Sequence, residues 1–241
     1  METVARQAEL VERLTRVRER IAQAAQAVSR PVDAVTLIAV SKTHPWSAVA
    51  AVAALGQSDF GENRLEEAAG KLAQPGAQGL SWHMIGHVQS RKAADVAVAG
   101  FTLVHSVDTF KLAERISRAA QAADRRQPIL LECNVSGEAS KSGFGGADET
   151  AWPTLIAAWE PLLTLPGVAV QGLMTMAPLG TDDDTARPTF DRLRRLLEAA
   201  RARLGVAWPA LSMGMTDDYV GAIREGATHV RVGRAIFGER G

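Results

Sequence analysis

From Val35 onward, short β-branched or apolar runs alternate with longer segments rich in alanine and leucine. The period changes from two to 3.6 and back, which marks strands followed by helices. The runs predict eight strands, over 35–41, 58–62, 81–86, 102–107, 128–135, 168–175, 209–213 and 229–233. The helices between them are clearest at Leu112, Ile116 and Ala120 and at Phe190, Leu193, Leu197, Ala200 and Leu204, and Asp108 and Thr109 are plausible caps for the former. Eight strand-then-helix units at about 26 residues each fit an α/β fold of the (β/α)8 TIM-barrel kind. An open doubly wound sheet would stop at five or six strands. Ahead of this lies a helical stripe over residues 2–28, with Val4, Val11, Leu14, Ile21 and Val28 set among Arg, Glu and Gln. It predicts a helix packed on the outside of the fold, with a coiled-coil partner less favoured because too few heptads follow. A single domain is expected: residues 1–30 as the packed helix and 35–241 as the barrel.

Charge narrows the partners. The 27 basic and 27 acidic residues cancel, so the broad positive field of a nucleic-acid or anionic-membrane binder is not expected, and small molecules become the favoured partners. Cys133 is the single cysteine, which precludes an internal disulfide, and its apolar surroundings predict a small buried residue. Met1–Arg6 mixes charges and does not read as a secretion signal. The longest apolar run, Trp46–Leu55, is about half the roughly 20 residues that span a bilayer. A cytoplasmic location is expected.

The candidate chemistry lies at strand ends, where such barrels carry their functional groups. Lys42 follows the first strand with the parity of Thr36, Ile38 and Val40, so its stem follows an apolar row before the amine emerges. An amine delivered in this way can hold an aldehyde as a Schiff base; the alternative is a solvated lysine after a strand. Glu62-Asn63, His83, Asn134, Lys141 and Met174-Thr175-Met176 fall on the other ends. After the seventh and eighth strands, Ser212, Gly214, Gly233 and Arg234 suit a phosphate, with Thr216-Asp217 opening the next helix, although the glycines could serve tight turns alone. Arg231 shares parity with Gly233 and should project into the mouth, toward a phosphate or a ring nitrogen. Opposite a pyridine nitrogen, a guanidinium that keeps its proton would leave the ring a weak electron sink. His83 and His87, about 13 Å apart if on one strand, are too distant to share a metal; His83 is expected to line the mouth or bond within the wall. Asp182-Asp183-Asp184 is expected to be a solvated loop before a helix rather than a cation site.

Eight segments in order carry a resemblance. They include Ala39-Val40-Ser41-Lys42-Thr43, Phe60-Gly61-Glu62-Asn63, Trp82-His83-Met84-Ile85-Gly86, Ser140-Lys141-Ser142-Gly143-Phe144, Leu211-Ser212-Met213-Gly214-Met215-Thr216-Asp217-Asp218 and Val230-Arg231-Val232-Gly233. Through them the chain resembles the pyridoxal 5′-phosphate homeostasis proteins. The resemblance implies a barrel like the N-terminal domain of alanine racemase, with pyridoxal 5′-phosphate (PLP) as a Schiff base on Lys42. It further implies that Asn63 and His83 line the pocket, that Ser212, Gly233 and the Arg234 backbone hold the phosphate, that Arg231 faces the pyridine nitrogen, that Met213 sits near the ring and that Lys141 is a second lysine able to accept or relay the cofactor. His44, Arg91 and Arg234 depart from the family's usual residues. The implied role is a monomer that buffers PLP or hands it to apo enzymes, and so affects amino-acid and keto-acid balance. Strong catalysis is not expected, because racemisation needs a second acid/base and Tyr219 is the only tyrosine. The alternatives are a weak racemase or decarboxylase using Lys42 and Lys141, and an aldolase-like barrel that binds a sugar phosphate directly.

Overall fold

A computed structural model describes residues 2–239. Its strands are β1 (Thr36–Val40), β2 (Asp59–Glu62), β3 (Ser81–Met84), β4 (Leu103–Val107), β5 (Gln127–Asn134), β6 (Phe144–Gly145), β7 (Val168–Met174), β8 (Ala210–Ser212) and β9 (His229–Val232). All pairings are parallel, and the order β4-β3-β2-β1-β9-β8-β7-β5 is closed by β4 meeting β5. The eight expected strands therefore form a closed barrel. The segment read as a loop at Gly143–Gly146 instead contributes β6, a two-residue strand beside the end of β5.

Alternation divides each strand between two environments. Leu37, Ala39, Phe60, Trp82, Leu131 and Val230 face outward into one large core shared with the helices. Cys133 belongs to that layer, where burial pushes its thiol pKa up and leaves it inert. The opposite faces meet inside the barrel, where Leu103, Leu130, Met174 and Ala210 form a separate small apolar layer. Ile38 and Ile85 meet above Gly61 on the same inward side, and the remaining interior includes the buried polar side chains His83, His105, Ser212 and Arg231, which position the site.

The helix α1 (Glu2–Gln26) packs against α8 (Tyr219–Arg224) and α9 (Arg234–Phe237). Its buried row is Leu10, Leu14, Val17, Ile21 and Ala24/Ala25, whereas Val11 is 40 % and Val28 37 % exposed. The expected row of sevens was thus partly misplaced, because a 3.6-residue turn drifts about 20° per seven residues and the packed face follows steps of three and four. The side chain of Val4 lies outside those described. Past the helix, Arg30 donates to the carbonyls of Ile223 and Ala227, both at 2.8 Å, and ties α1 to the α8–β9 turn.

Two acidic segments have structural work. Thr109 caps α5 (Phe110–Ala122) by accepting from Leu112 N–H, while Asp108 pairs with His87 at 3.3 Å. Asp182 forms a capping box with Thr185 at the start of α7 (Asp183–Leu204), and Asp183 accepts from Gly221 N–H. Among the described residues no group of His, Cys, Asp or Glu could hold a metal, and no helix is long and apolar enough to cross a membrane.

Gly86 sets the position of a site residue. A Cβ there would stand 2.3 Å from the Asn63 carbonyl oxygen and 2.6 Å from Asn63 Cα, so only glycine lets the β2 and β3 ends approach this closely. Gly86→Ala is expected to cost about 1–3 kcal/mol by overpacking and to displace Asn63, measured as a lowered denaturation midpoint; an unchanged midpoint would show that the contact is soft.

Candidate functional site

At the C-terminal end of the strands a cavity of about 470 Å³ is lined by Lys42, Asn63, Met215, Arg231, Gly233 and Arg234 among others. Five sequence-predicted residues therefore share one mouth, and Met215 joins them.

The turn that carries Lys42 is held on both sides. Before it, Ser41 is buried; its hydroxyl donates to Glu62 Oε1 at 2.5 Å and its carbonyl accepts from Lys71 Nζ at 2.7 Å. After it, Thr43 has φ of 68° and donates its N–H to Glu67 Oε1 at 2.5 Å. Lys71, on α3 (Leu65–Leu72), joins the two sides by pairing with Glu62 at 2.6 Å and Glu67 at 2.8 Å. Glu62 points away from the cavity because Gly61 and Asn63 take the inward parity, and burial raises its pKa against the opposing bonds from Lys71 and Ser41. A β-branched residue at positive φ costs free energy and persists only where its surroundings hold it. Here the surroundings are this ion-pair network.

Arg231 is 4 % exposed. Nη2 donates to the Thr175 carbonyl at 2.9 Å and Nη1 to the Ser212 hydroxyl at 2.5 Å. Among the described residues no carboxylate lies within ion-pair distance of it. Burial lowers its pKa to about 10, against the raising influence of Asp218 and Glu132, so it stays charged at neutral pH. A buried cation without a carboxylate, with donors left over from its five N–H groups, is an acceptor site.

Gly233 opens α9 and sits against β1: a Cβ there would be 3.2 Å from Val40 O and 3.3 Å from Val40 Cβ. The first N–H groups of a helix have no partner within it, and α9 starts on the cavity wall. The Arg234 side chain does not add free charge there, since its guanidinium bonds both oxygens of Asp217 at 2.6 Å and lies 3.5 Å from Glu239. The helix after β8 starts at Tyr219 rather than at Thr216-Asp217, because Asp218 turns back to accept from Met215 N–H.

Other expected residues lie elsewhere. Met213 is fully buried in the layer between barrel and helices; with Ser212 inward, alternation turns Met213 outward, which corrects the expectation that Met213 borders a ring, and Met215 reaches the mouth because β8 has ended and Gly214, at φ of 92°, breaks the alternation. His83 and Ser212 do not line the cavity. They lie inside the barrel beneath it, with His83 Nδ1 3.0 Å from His105 Nε2 and Ser212 Oγ 2.8 Å from His105 Nδ1. The Ser212 hydroxyl is therefore engaged by its neighbours. Lys141 pairs with Glu138 and donates to the Met176 carbonyl at 3.0 Å; it stands behind the loop whose Met176 and 95 % exposed Leu179 rim the cavity. His44 stacks on Phe237 with centroids 4.8 Å apart, at the rim. Arg91 bonds Gln89 at 2.9 Å in a neighbouring groove.

The family model for the N-terminal domain of alanine racemase matches residues 13–241, which defines the class of barrel. An alanine racemase from Clostridium difficile shares the fold at a TM-score of 0.72 with 13 % identity, covering 95 % of this chain and 56 % of that one. Closer similarity runs to the pyridoxal phosphate homeostasis protein of Pseudomonas aeruginosa, 43 % identical over 231 residues and 96 % of each chain, and to that of Escherichia coli K12, 36 % identical over 239 residues, 96 % of this chain and 97 % of that one. PipY of Synechococcus elongatus, solved with PLP bound, is 35 % identical with a TM-score of 0.78, covering 95 % of this chain and 99 % of that one. The chain belongs to the pyridoxal phosphate homeostasis protein family.

Proposed function

We propose that this cavity binds pyridoxal 5′-phosphate through Lys42 and that the chain serves cytoplasmic PLP homeostasis, keeping the cofactor and releasing it to apo enzymes, without strong catalysis of its own. The observation that carries the reading is the sharing of one cavity by the Lys42 amine, the Arg231 guanidinium and the start of α9. The cavity volume lies in the range of small-molecule sites. When bound, the cofactor supplies an aldehyde and an electron-withdrawing ring.

The chain's residues divide the remaining work. Lys42 would hold the aldehyde through its amine, and the Glu62–Lys71–Glu67 network fixes the turn that carries it. Gly233 lets the ligand approach the backbone, and the N–H groups opening α9 suit a phosphate. Arg231 can only donate, so it would leave a ring nitrogen facing it as an acceptor and weaken carbanion stabilisation. Asn63, at the end of β2, walls the cavity on the other flank of β1 from Gly233. The P. aeruginosa and E. coli relatives, and PipY with its bound PLP, support the same role. A monomer acting in the cytoplasm is part of the proposal, and a single cysteine, Cys133, which can form no internal disulfide, fits that location.

A weak racemase or decarboxylase would need a second acid/base at the cavity. Tyr219 does not line it; the ring is buried beneath the Arg20 guanidinium, 5.1 Å from its centroid, and burial raises the phenol pKa. Lys141 is already engaged by Glu138 and Met176. Incubation with pyridoxal phosphate and then borohydride should fix one pyridoxyl group on Lys42, seen by peptide mass, and Lys42→Ala should abolish the adduct. A protein that stays colourless, or an adduct of sugar-phosphate mass, defeats the reading. Amino-acid turnover that disappears in Lys42→Ala would favour the enzyme instead.

A further inference from the structure

Beneath the cavity runs a line of polar side chains that, apart from Arg231 at its end, these roles leave unused. Asp59 Oδ1 is 3.1 Å from His83 Nε2, His83 Nδ1 is 3.0 Å from His105 Nε2, His105 Nδ1 is 2.8 Å from Ser212 Oγ, and Ser212 Oγ accepts from Arg231. His83, His105, Ser212 and Arg231 are all buried. Asp59 is the first residue of β2, at the end of the barrel away from the cavity, and its side chain is partly exposed there. The line thus passes through the barrel from one end to the other.

Its two ends dictate its direction. A guanidinium only donates and an ionised carboxylate only accepts, while a neutral imidazole has one donor and one acceptor. Burial above all lowers the His105 pKa and holds the ring neutral. Bonds to His83 and Ser58 keep Asp59 ionised despite its partial burial. One assignment satisfies every member. His83 Nε2–H donates to Asp59, His105 Nε2–H donates to His83 Nδ1, and the Ser212 hydroxyl donates to His105 Nδ1 while accepting from Arg231. Reversing any one link sets two donors or two acceptors face to face, which costs the desolvation of a buried polar group. His229 lies beside the line rather than in it, bonding Thr228 at 2.8 Å with its ring centroid 5.9 Å from that of His105. Glu132 and Asp218 are the carboxylates whose fields reach Arg231.

We infer that Asp59, His83 and His105 are positioning residues of the cofactor site: a one-way donor chain from the far end of the barrel fixes the Ser212 hydroxyl and thereby the aim of the Arg231 guanidinium. The part that concerns the cofactor rests on the proposed PLP binding; the direction of the chain does not.

The decisive measurement is histidine nitrogen NMR on the protein without cofactor, joined to titration with pyridoxal phosphate. Wild type should show His83 and His105 as Nε2–H tautomers at pH 7. Asp59→Ala should spread His105, which Asp59 does not touch, into a mixture of tautomers, weaken pyridoxal phosphate binding about tenfold and shift the absorption band of the bound cofactor. Asp59→Asn keeps an acceptor and should restore all three. If Asp59→Ala does not fold, Ser212→Ala cuts the other end and should produce the same mixture at His105. A doubly protonated or Nδ1–H His105 in wild type overturns the inference, as does an unchanged His105 in the cut variant. A wild type that ignores pyridoxal phosphate yet shows the expected tautomers defeats the binding reading alone.

Discussion

Replacing Lys71 with methionine is expected to destabilise the protein by about 3–5 kcal/mol. The reason lies in Glu62, which is fully buried, receives Lys71 and Ser41 on Oε1 and has no partner for Oε2. Without the ammonium the carboxylate is left uncompensated, and its escape is to take a proton. Its folded-state pKa is already raised by burial. A carboxyl raised in the folded state costs stability as pH climbs through that pKa, so the deficit of Lys71→Met should be larger at pH 8 than at pH 5. Adding Glu62→Gln should recover most of it, since a neutral amide needs no counter-charge. Denaturant unfolding of the single and double variants at both pH values provides the check. A loss below about 1 kcal/mol would place the pair among the weak surface kind. Because the same ammonium binds the Ser41 carbonyl, cofactor retention on Lys42 should fall as well, even where the variant is fully folded.

Lowering the pH from 7 to 5 should strip about 2 kcal/mol through His229 alone. Burial, and then the His83 and Arg231 charges against Asp59, lower its folded pKa from 6.5 to about 4. Between those values the unfolded chain binds a proton that the folded chain refuses, so stability is present above about 6.5 and is lost progressively down to about 4. His105 is shifted in the same direction and adds to the loss. Glu132 and Asp218, whose pKa values are raised by burial, act in the opposite sense because the folded chain holds their protons longer. The difference between wild type and His229→Gln isolates the histidine: it should grow by about 2 kcal/mol from pH 5 to pH 7 in thermal or urea unfolding. A flat difference would mean that water reaches this imidazole.

The barrel was legible because parallel strands inside a helical ring announce themselves as short apolar runs, and every run found its strand. Lys42, Asn63, Arg231 and Gly233 were legible for a related reason: parity plus the end of a strand fixes which residues reach the mouth, and Arg234 follows as the first residue of α9. The same parity, carried one step past Ser212, would have turned Met213 outward; Met215 shares the parity of Met213 and reaches the mouth only through the turn at Gly214, which alternation does not foretell. His105 left no such signal. It sits in Leu103–Val107 among apolar neighbours, and its partners His83 and Ser212 come from β3 and β8, so the connection exists only after the barrel closes. The Glu62–Lys71–Glu67 clamp was invisible likewise, because sequence shows the i,i+4 pair on α3 but not the carboxylate waiting on β2. In α1 the heptads misled because the packed face drifts round the cylinder.

Thr43 gives the protein a cost with a purpose. A branched side chain forced into the left-handed region forfeits roughly 1–2 kcal/mol, next door to the lysine on which the proposed chemistry depends. Anyone stabilising this protein by relaxing unfavourable torsions would choose glycine here first, gain degrees of melting temperature and blunt the tool. Robustness and aim pull against each other at this one residue.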